Sequence, residues 1–263
     1  EELGMLHSRL GVLVLSAAVI DDVFGLLLMA GVTTFVASGG MVDLTELAWL
    51  ALKTAGFFVT TGLLGVHVYP HINERLREEK MVALDLSALV AVALAYAVLA
   101  EALGLHWIMG VFMAGLFFES HRIGQRAYDD MRLIFAAICS GVLGPMFFVS
   151  IGLAVDLRAV IEVPLLLLLV IAAAFLGKLL GAGLPARMFG FDRRHATAVG
   201  VGMSARGAVE LIILGVVAEA GVFDATAGDG MVANLFSVLV IMAVVTTFAT
   251  PILLRSLLRG DAR

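Results

Sequence analysis

The side chains of this sequence that could do chemistry away from water are few, and two of them are adjacent. Asp21 and Asp22 lie in SAAVIDDVFG, residues 16–25, inside an apolar run from Leu10 to Ala37. No other ionisable side chain occurs between Arg9 and Asp43. Neighbouring residues of an α-helix point about 100° apart, so one carboxylate can meet a partner helix while the other faces a cavity. Burial and a nearby ammonium act oppositely on a carboxylate, so the two acids can titrate separately. The deep cation available to them is Lys178, in FLGKLLG, with no other charge between Glu162 and Arg187. One acid held by a lysine, with a second free to take a proton or a cation, is the chemistry of a carrier. Arg206 and Glu210, in GVGMSARGAVELIILG, are candidate accessory charges. Their i, i+4 spacing also allows a plain structural pair along one helix face.

The elements that must hold these charges are membrane helices. Hydrophobic residues make up 61% of the chain and charged residues 15%, with mean hydropathy +1.05. Soluble domains run nearer about 45–50% and 25%. A bilayer core about 30 Å thick needs roughly 20 apolar residues to cross it. Dividing the chain at its polar breaks predicts about eight spans, at approximately 11–37, 47–70, 82–103, 105–119, 134–154, 163–186, 196–219 and 231–254. The fold class is therefore all-α and polytopic. Asp21 and Asp22 then sit roughly 15 Å deep at 1.5 Å per residue. Each ionisable group at that depth costs on the order of 2.5–3.5 kcal/mol by insertion scales, which makes it a functional candidate. Gly141, Gly144 and Pro145 are expected to break or kink the fifth span. Gly200, Gly202, Gly207 and Gly215 point to unwinding of the seventh near Gly202–Gly207.

Other chemistry is scarce. The single cysteine, Cys139, allows no internal disulfide and no cysteine-based metal site. His67 and His71 flank Pro70 without a third ligand. No cofactor and no nucleic-acid partner are expected.

Orientation follows from the basic residues. Arg9, Arg75, Arg77, Lys80, Arg122, Arg126, Arg132, Arg187, Arg193, Arg194, Arg255, Arg259 and Arg263 fall on alternate connections, 13 of the 17 Lys and Arg. The opposite connections hold Arg158, with Lys53 a little inside the second span, beside Asp43, Glu46, Asp156, Glu162, Asp224 and Asp229. Both ends of this segment are therefore expected to be cytoplasmic. The first residue is Glu1 and no signal peptide precedes the first span, so the segment reads as part of a longer protein.

Together, AAVIDDVFGLLL, GPMFFVSIGLAVDL, the lysine of FLGKLLG and VGVGMSARGAVELIIL resemble, in order, the monovalent cation:proton antiporter superfamily. The closest branch holds the bacterial NapA-like sodium/proton antiporters and Kef-type potassium efflux proteins. The resemblance implies two inverted six-helix repeats joined by a linker helix, with a dimer scaffold and a moving core. Residues 1–45 resemble the last helix of the first repeat, 46–80 the linker helix and its cytoplasmic loop. Residues 81–160 resemble scaffold and dimerisation helices, and 161–263 core helices with Lys178 and a broken helix near 198–219. The other helices of the first repeat have no counterpart in this segment. The same resemblance implies that Asp22 binds the transported sodium ion and the proton, that Asp21 is the preceding acid, and that Lys178 is its ion-pair partner. The doubled acid with lysine favours electrogenic sodium (or lithium) for proton exchange in a bacterial-type inner membrane, by a homodimer. Potassium/proton exchange or Kef-type efflux is the alternative.

Two further classes fit the residues less well. An intramembrane aspartyl protease needs two acids on different helices sharing a proton, which adjacent residues of one helix cannot do. A proton-translocating subunit of a respiratory complex could use the buried lysine and glutamate but has no need of the Asp pair. No enzyme is expected.

Overall fold

A computed structural model of the chain describes residues 8–37, 44–76, 82–120, 125–223 and 230–258, and every regular element within them is helical. In chain order these are α1 (Arg9–Ala37), α2 (Leu44–Leu76), α3 (Val82–Ala102), α4 (Trp107–Leu116), α5 (Gln125–Ile138), α6 (Gly144–Ala154), α7 (Ala159–Glu162), α8 (Pro164–Lys178), α9 (Leu184–Met188), α10 (Arg193–Gly202), α11 (Ala208–Glu219) and α12 (Gly230–Leu258). The connections that carry Asp43, Arg77, Lys80, Arg122, Asp224 and Asp229, and the end with Arg259 and Arg263, lie outside the described residues.

Among the described residues, four helical stretches are long and apolar enough to cross a membrane: Arg9–Val32, Tyr128–Ala154, Pro164–Met188 and Asn234–Leu258. Leu86–Ala102 and Trp107–Leu116 are shorter apolar helices. The chain is a polytopic helical membrane protein. The span expected at 196–219 is divided: α10 ends at Gly202, Met203–Gly207 is non-helical, and α11 starts at Ala208.

At Gly141, Gly144 and Pro145, where a break or kink is expected, the fifth span departs from regular winding without ending. α5 runs into α6 through one wide π turn, Cys139–Leu143, in which the Gly144 N–H donates to the Cys139 carbonyl. A second π turn, Leu179–Gly183, joins α8 to α9, with the Leu184 N–H on the Leu179 carbonyl. Each turn is followed by a proline, Pro145 or Pro185, whose residue four positions back is Gly141 or Gly181. In a regular α-helix a proline ring strikes the carbonyl four residues earlier. Widening the turn relieves that clash without ending the helix.

The chain divides into two compact units, Glu1–Val36 with Ser150–Arg263, and Ala37–Val149. In the second unit α3 packs closely on α4. Gly104, at φ 76°, ends α3: Leu105 N–H reaches the Ala100 carbonyl at 2.9 Å and Gly104 N–H the Glu101 carbonyl at 2.9 Å. This left-handed helix end suits glycine because a Cβ is disfavoured there. The returning α4 then lays Gly110 on the α3 backbone, where an added Cβ would lie 2.2 Å from the Tyr96 carbonyl oxygen and 2.5 Å from the Ala97 nitrogen. Tyr96 in turn donates its hydroxyl to the Thr61 carbonyl of α2 at 3.0 Å. Gly110→Ala is therefore expected to destabilise the protein by about 3 kcal/mol, the upper range for overpacking. Gly115→Ala, where nothing lies within 4 Å of the added Cβ, should not. Thermal midpoints of the two purified variants check this, and equal midpoints would exclude the close approach.

The first unit is organised around α10. Ala186, Ala196, Val199 and Met203 form a buried cluster, and Leu10, Leu13, Val14, Ala17 and Ala18 of α1 pack against it. On another side α10 meets the second π turn: a Cβ on Gly200 would lie 2.9 Å from Leu179 Cα and 3.3 Å from the Lys178 carbonyl oxygen. Small residues at such contacts let membrane helices approach closely. α12 packs on α8, α10 and α11, with Val238, Val240, Met242 and Ala243 buried. Asp192 begins α10, accepting the Arg194 N–H at 3.2 Å and bonding His195 Nδ1. The hydrogen bond from His195 holds the Asp192 carboxyl below the usual range.

Candidate functional site

The packing of α1 on α10, and of α10 on the second π turn, decides which charges meet. Lys178 is the last residue of α8, immediately before the π turn. Its ammonium donates to Asp21 Oδ2 of α1 at 2.6 Å. Asp22, one residue further round α1, lines a cavity of about 390 Å³ together with Asp21, Lys178, Arg206 and Glu210, and with apolar Leu28, Ile213, Leu239 and Met242. A larger cavity, about 920 Å³, is lined by Arg9, Phe189 and Phe191 and also reaches Asp21, Lys178 and Arg206. Arg9 lies over the Phe191 ring, 5.1 Å from its centroid. Asp21, Lys178 and Arg206 thus border both cavities, whereas Asp22 and Glu210 border the smaller one.

Arg206 and Glu210 are paired, Nη1 to Oε1 at 2.5 Å, but not along one helix face as their spacing suggests. Arg206 belongs to the non-helical Met203–Gly207 stretch, and Glu210 to the first turn of α11. An acid in a first helical turn is favoured by the N–H groups exposed there. The pairing is incomplete: Arg206 Nε and Glu210 Oε2 are buried without a hydrogen-bond partner. A half-satisfied ion pair away from water is a costly arrangement.

Hydroxyl side chains in and around the unwound stretch add further contacts, of which the two from α12 are passed over by a search for charges and glycines. Ser204, buried, donates its hydroxyl to the Gly200 carbonyl at 2.8 Å. Thr250 of α12 donates to the Val201 carbonyl at 3.4 Å. Thr247 accepts the Arg206 N–H at 3.2 Å and donates to the Arg206 carbonyl at 2.8 Å. The available signal was the triplet Thr246, Thr247 and Thr250 in the stretch between Ser237 and Arg255, whose other residues are apolar. Among the described residues, no three His, Cys, Asp or Glu side chains are placed to hold one metal ion.

Fold and site together define a membrane protein with paired charges held against an interrupted helix. The sequence comparisons make the class specific. The family described as "Sodium/hydrogen exchanger, transmembrane" matches residues 1–260, and the chain belongs to that family. It is 30% identical over 255 residues to the Na(+)/H(+)-K(+) antiporter GerN of Bacillus cereus, covering 97% of this chain and 62% of that protein. It is 30% identical to the probable Na(+)/H(+) antiporter GerT of the same organism, with 97% and 64% covered. To a Na(+)/H(+) antiporter of Enterococcus hirae it is 27% identical, with 97% and 63% covered. The chain thus spans somewhat less than two thirds of the length of these curated relatives.

Proposed function

We propose that the protein exchanges sodium or lithium for protons across the membrane, electrogenically and by alternating access. The observation that carries this reading is the Lys178–Asp21 contact at 2.6 Å beside Asp22, with Asp21 and Lys178 bordering two cavities at once. Proton and cation compete for the Asp22 carboxylate. Among the described residues no three carboxylates gather round one point, so the remaining ligands of a sodium ion would be carbonyls, hydroxyls or water. Lys178 holds Asp21 while the site is empty and releases it as the ion enters. The interrupted helix serves this chemistry because unwound backbone in a membrane can line a site with carbonyls and helix ends. The chemistry is transport, and no covalent catalysis is assigned.

The unit built from α1 and Ser150–Arg263 would be the moving core, and the unit Ala37–Val149 would supply linker, scaffold and dimer contacts. The larger cavity is lined by Arg9, and from the alternation of basic connections along the sequence we assign the side of Arg9, Arg187, Arg193 and Arg194 to the cytoplasm of a bacterial-type inner membrane. A cysteine at Arg193, in a Cys139→Ser background, should resist a membrane-impermeant thiol reagent in intact cells and react after permeabilisation. Labelling from outside would reverse the orientation.

The experiment that tests the function is cation-dependent proton flux by the full-length protein in vesicles, without electron donors, comparing sodium, lithium and potassium. Potassium is the second reading, favoured by a relative whose name joins sodium and potassium. Flux driven by potassium and not by sodium would select it. No flux with any of the three would overturn antiport.

A further inference from the structure

Thr247 makes an unusual choice of partner. A threonine in an apolar helix ordinarily turns its hydroxyl back onto a carbonyl three or four residues earlier. Thr246 does so, donating to Ala243 O at 3.0 Å, and Thr250 does so toward Thr246 O at 2.8 Å while sharing that proton with the Val201 carbonyl at 3.4 Å. Thr247, between exposed Val244, Val245 and Phe248, instead turns to another element. Its one hydroxyl takes the Arg206 N–H at 3.2 Å and gives its proton to the Arg206 carbonyl at 2.8 Å.

Those two backbone groups need a partner because the helix has stopped. Upstream, the Met203 N–H still reaches the Val199 carbonyl at 2.9 Å and the Ser204 N–H the Val201 carbonyl at 3.0 Å. Downstream, Gly207 caps α11 without a side-chain hydrogen bond. Arg206 falls between the two helical systems, and α12 supplies through Thr247 what neither does. With both its N–H and its carbonyl held, the Arg206 backbone, and with it the direction in which the side chain leaves it, is tied to α12. That side chain pairs with Glu210 and borders both cavities that meet at Asp21 and Lys178.

We propose that Thr247 is a positioning residue, a two-point clasp by which α12 fixes the unwound Met203–Gly207 stretch and aims Arg206 into the charged site. The transport consequence rests on the antiport reading above, whereas the clasp itself does not. In Thr247→Val, which keeps the shape and removes the hydroxyl, exchange of the Arg206 amide hydrogen should accelerate about ten-fold. The KM for the transported cation should rise about ten-fold, with the maximal rate changed less than about three-fold, as expected when orientation of a binding group is lost. Thr247→Ser keeps the hydroxyl and should stay within about two-fold of wild type in both measurements. Thr247→Ala serves if the valine variant does not fold. Unchanged amide protection without the hydroxyl overturns the clasp, whatever transport shows. Lost protection with an unchanged KM overturns the positioning role. Absence of flux in the wild type overturns antiport and leaves the amide measurement to decide the clasp.

Discussion

Asp22→Asn should reduce cation-dependent proton flux by the full-length protein to the level of protein-free vesicles. An amide has nearly the shape of a carboxylate but cannot titrate and carries no charge. In a site bordered by Leu28, Ile213, Leu239 and Met242, it supplies neither the proton nor the negative partner that a desolvated cation requires. Removing a carboxylate from a span also removes an insertion cost on the order of 2.5–3.5 kcal/mol, so the variant should fold at least as well as wild type. Loss of flux with an unchanged or raised thermal midpoint is the expected pair of results. Asp21→Asn is the comparison: it loses the partner of Lys178 but keeps Asp22, and should retain part of the flux with altered affinity. Normal transport by Asp22→Asn vesicles would sink the mechanism.

Lys178→Gln should separate charge movement from exchange. The ammonium is 18% exposed and its partner Asp21 43% exposed. Breaking a fully buried pair costs roughly 3–5 kcal/mol and an exposed one roughly 0–1 kcal/mol. This pair lies between, so about 1–2 kcal/mol of stability should be lost. The larger effect is on coupling. In the proposed cycle net charge moves only if Lys178 hands its proton to one side as the cation displaces it from Asp21 and regains one from the other. A glutamine carries no such proton, so one charge drops out of the cycle. The membrane potential contributes about 2.3 kcal/mol per charge per 100 mV, so a cycle that no longer moves net charge loses that drive entirely. Transport currents on supported membranes should fall to background while dye-reported sodium/proton exchange persists. Wild-type currents from Lys178→Gln would remove the lysine from the scheme.

Much of the architecture was legible in residue types. Apolar runs of membrane-crossing length located the helices, and the glycines about Arg206 located the interruption that occupies Met203–Gly207. The π turns were not legible. Glycine and proline mark a place where regular winding is strained, but whether the helix stops or widens depends on what surrounds it. At Cys139–Leu143 and Leu179–Gly183 it widens. The Arg206–Glu210 pair was legible as a pair and misread in form, since the spacing assumed a continuous helix that the break removes.

The sequence by itself determined that a polytopic helical membrane protein carries Asp21, Asp22, Lys178, Arg206 and Glu210 inside apolar spans, where ionisable side chains are costly and few. Periodicity placed each side chain only around its own helix axis. It left open which aspartate meets a lysine 157 residues away, beyond what the family resemblance implied, and it was silent on Thr247. Those points were decided by the tertiary structure. Gly183 and Gly200 let the second π turn close onto α10, and Val14, Ala17 and Ala18 of α1 pack their side chains on the same helix, setting distance and rotation between helices far apart in sequence. α12 then lies where one threonine hydroxyl reaches the Arg206 backbone. Rotation between non-adjacent helices follows from long-range packing, and local sequence pattern does not encode it.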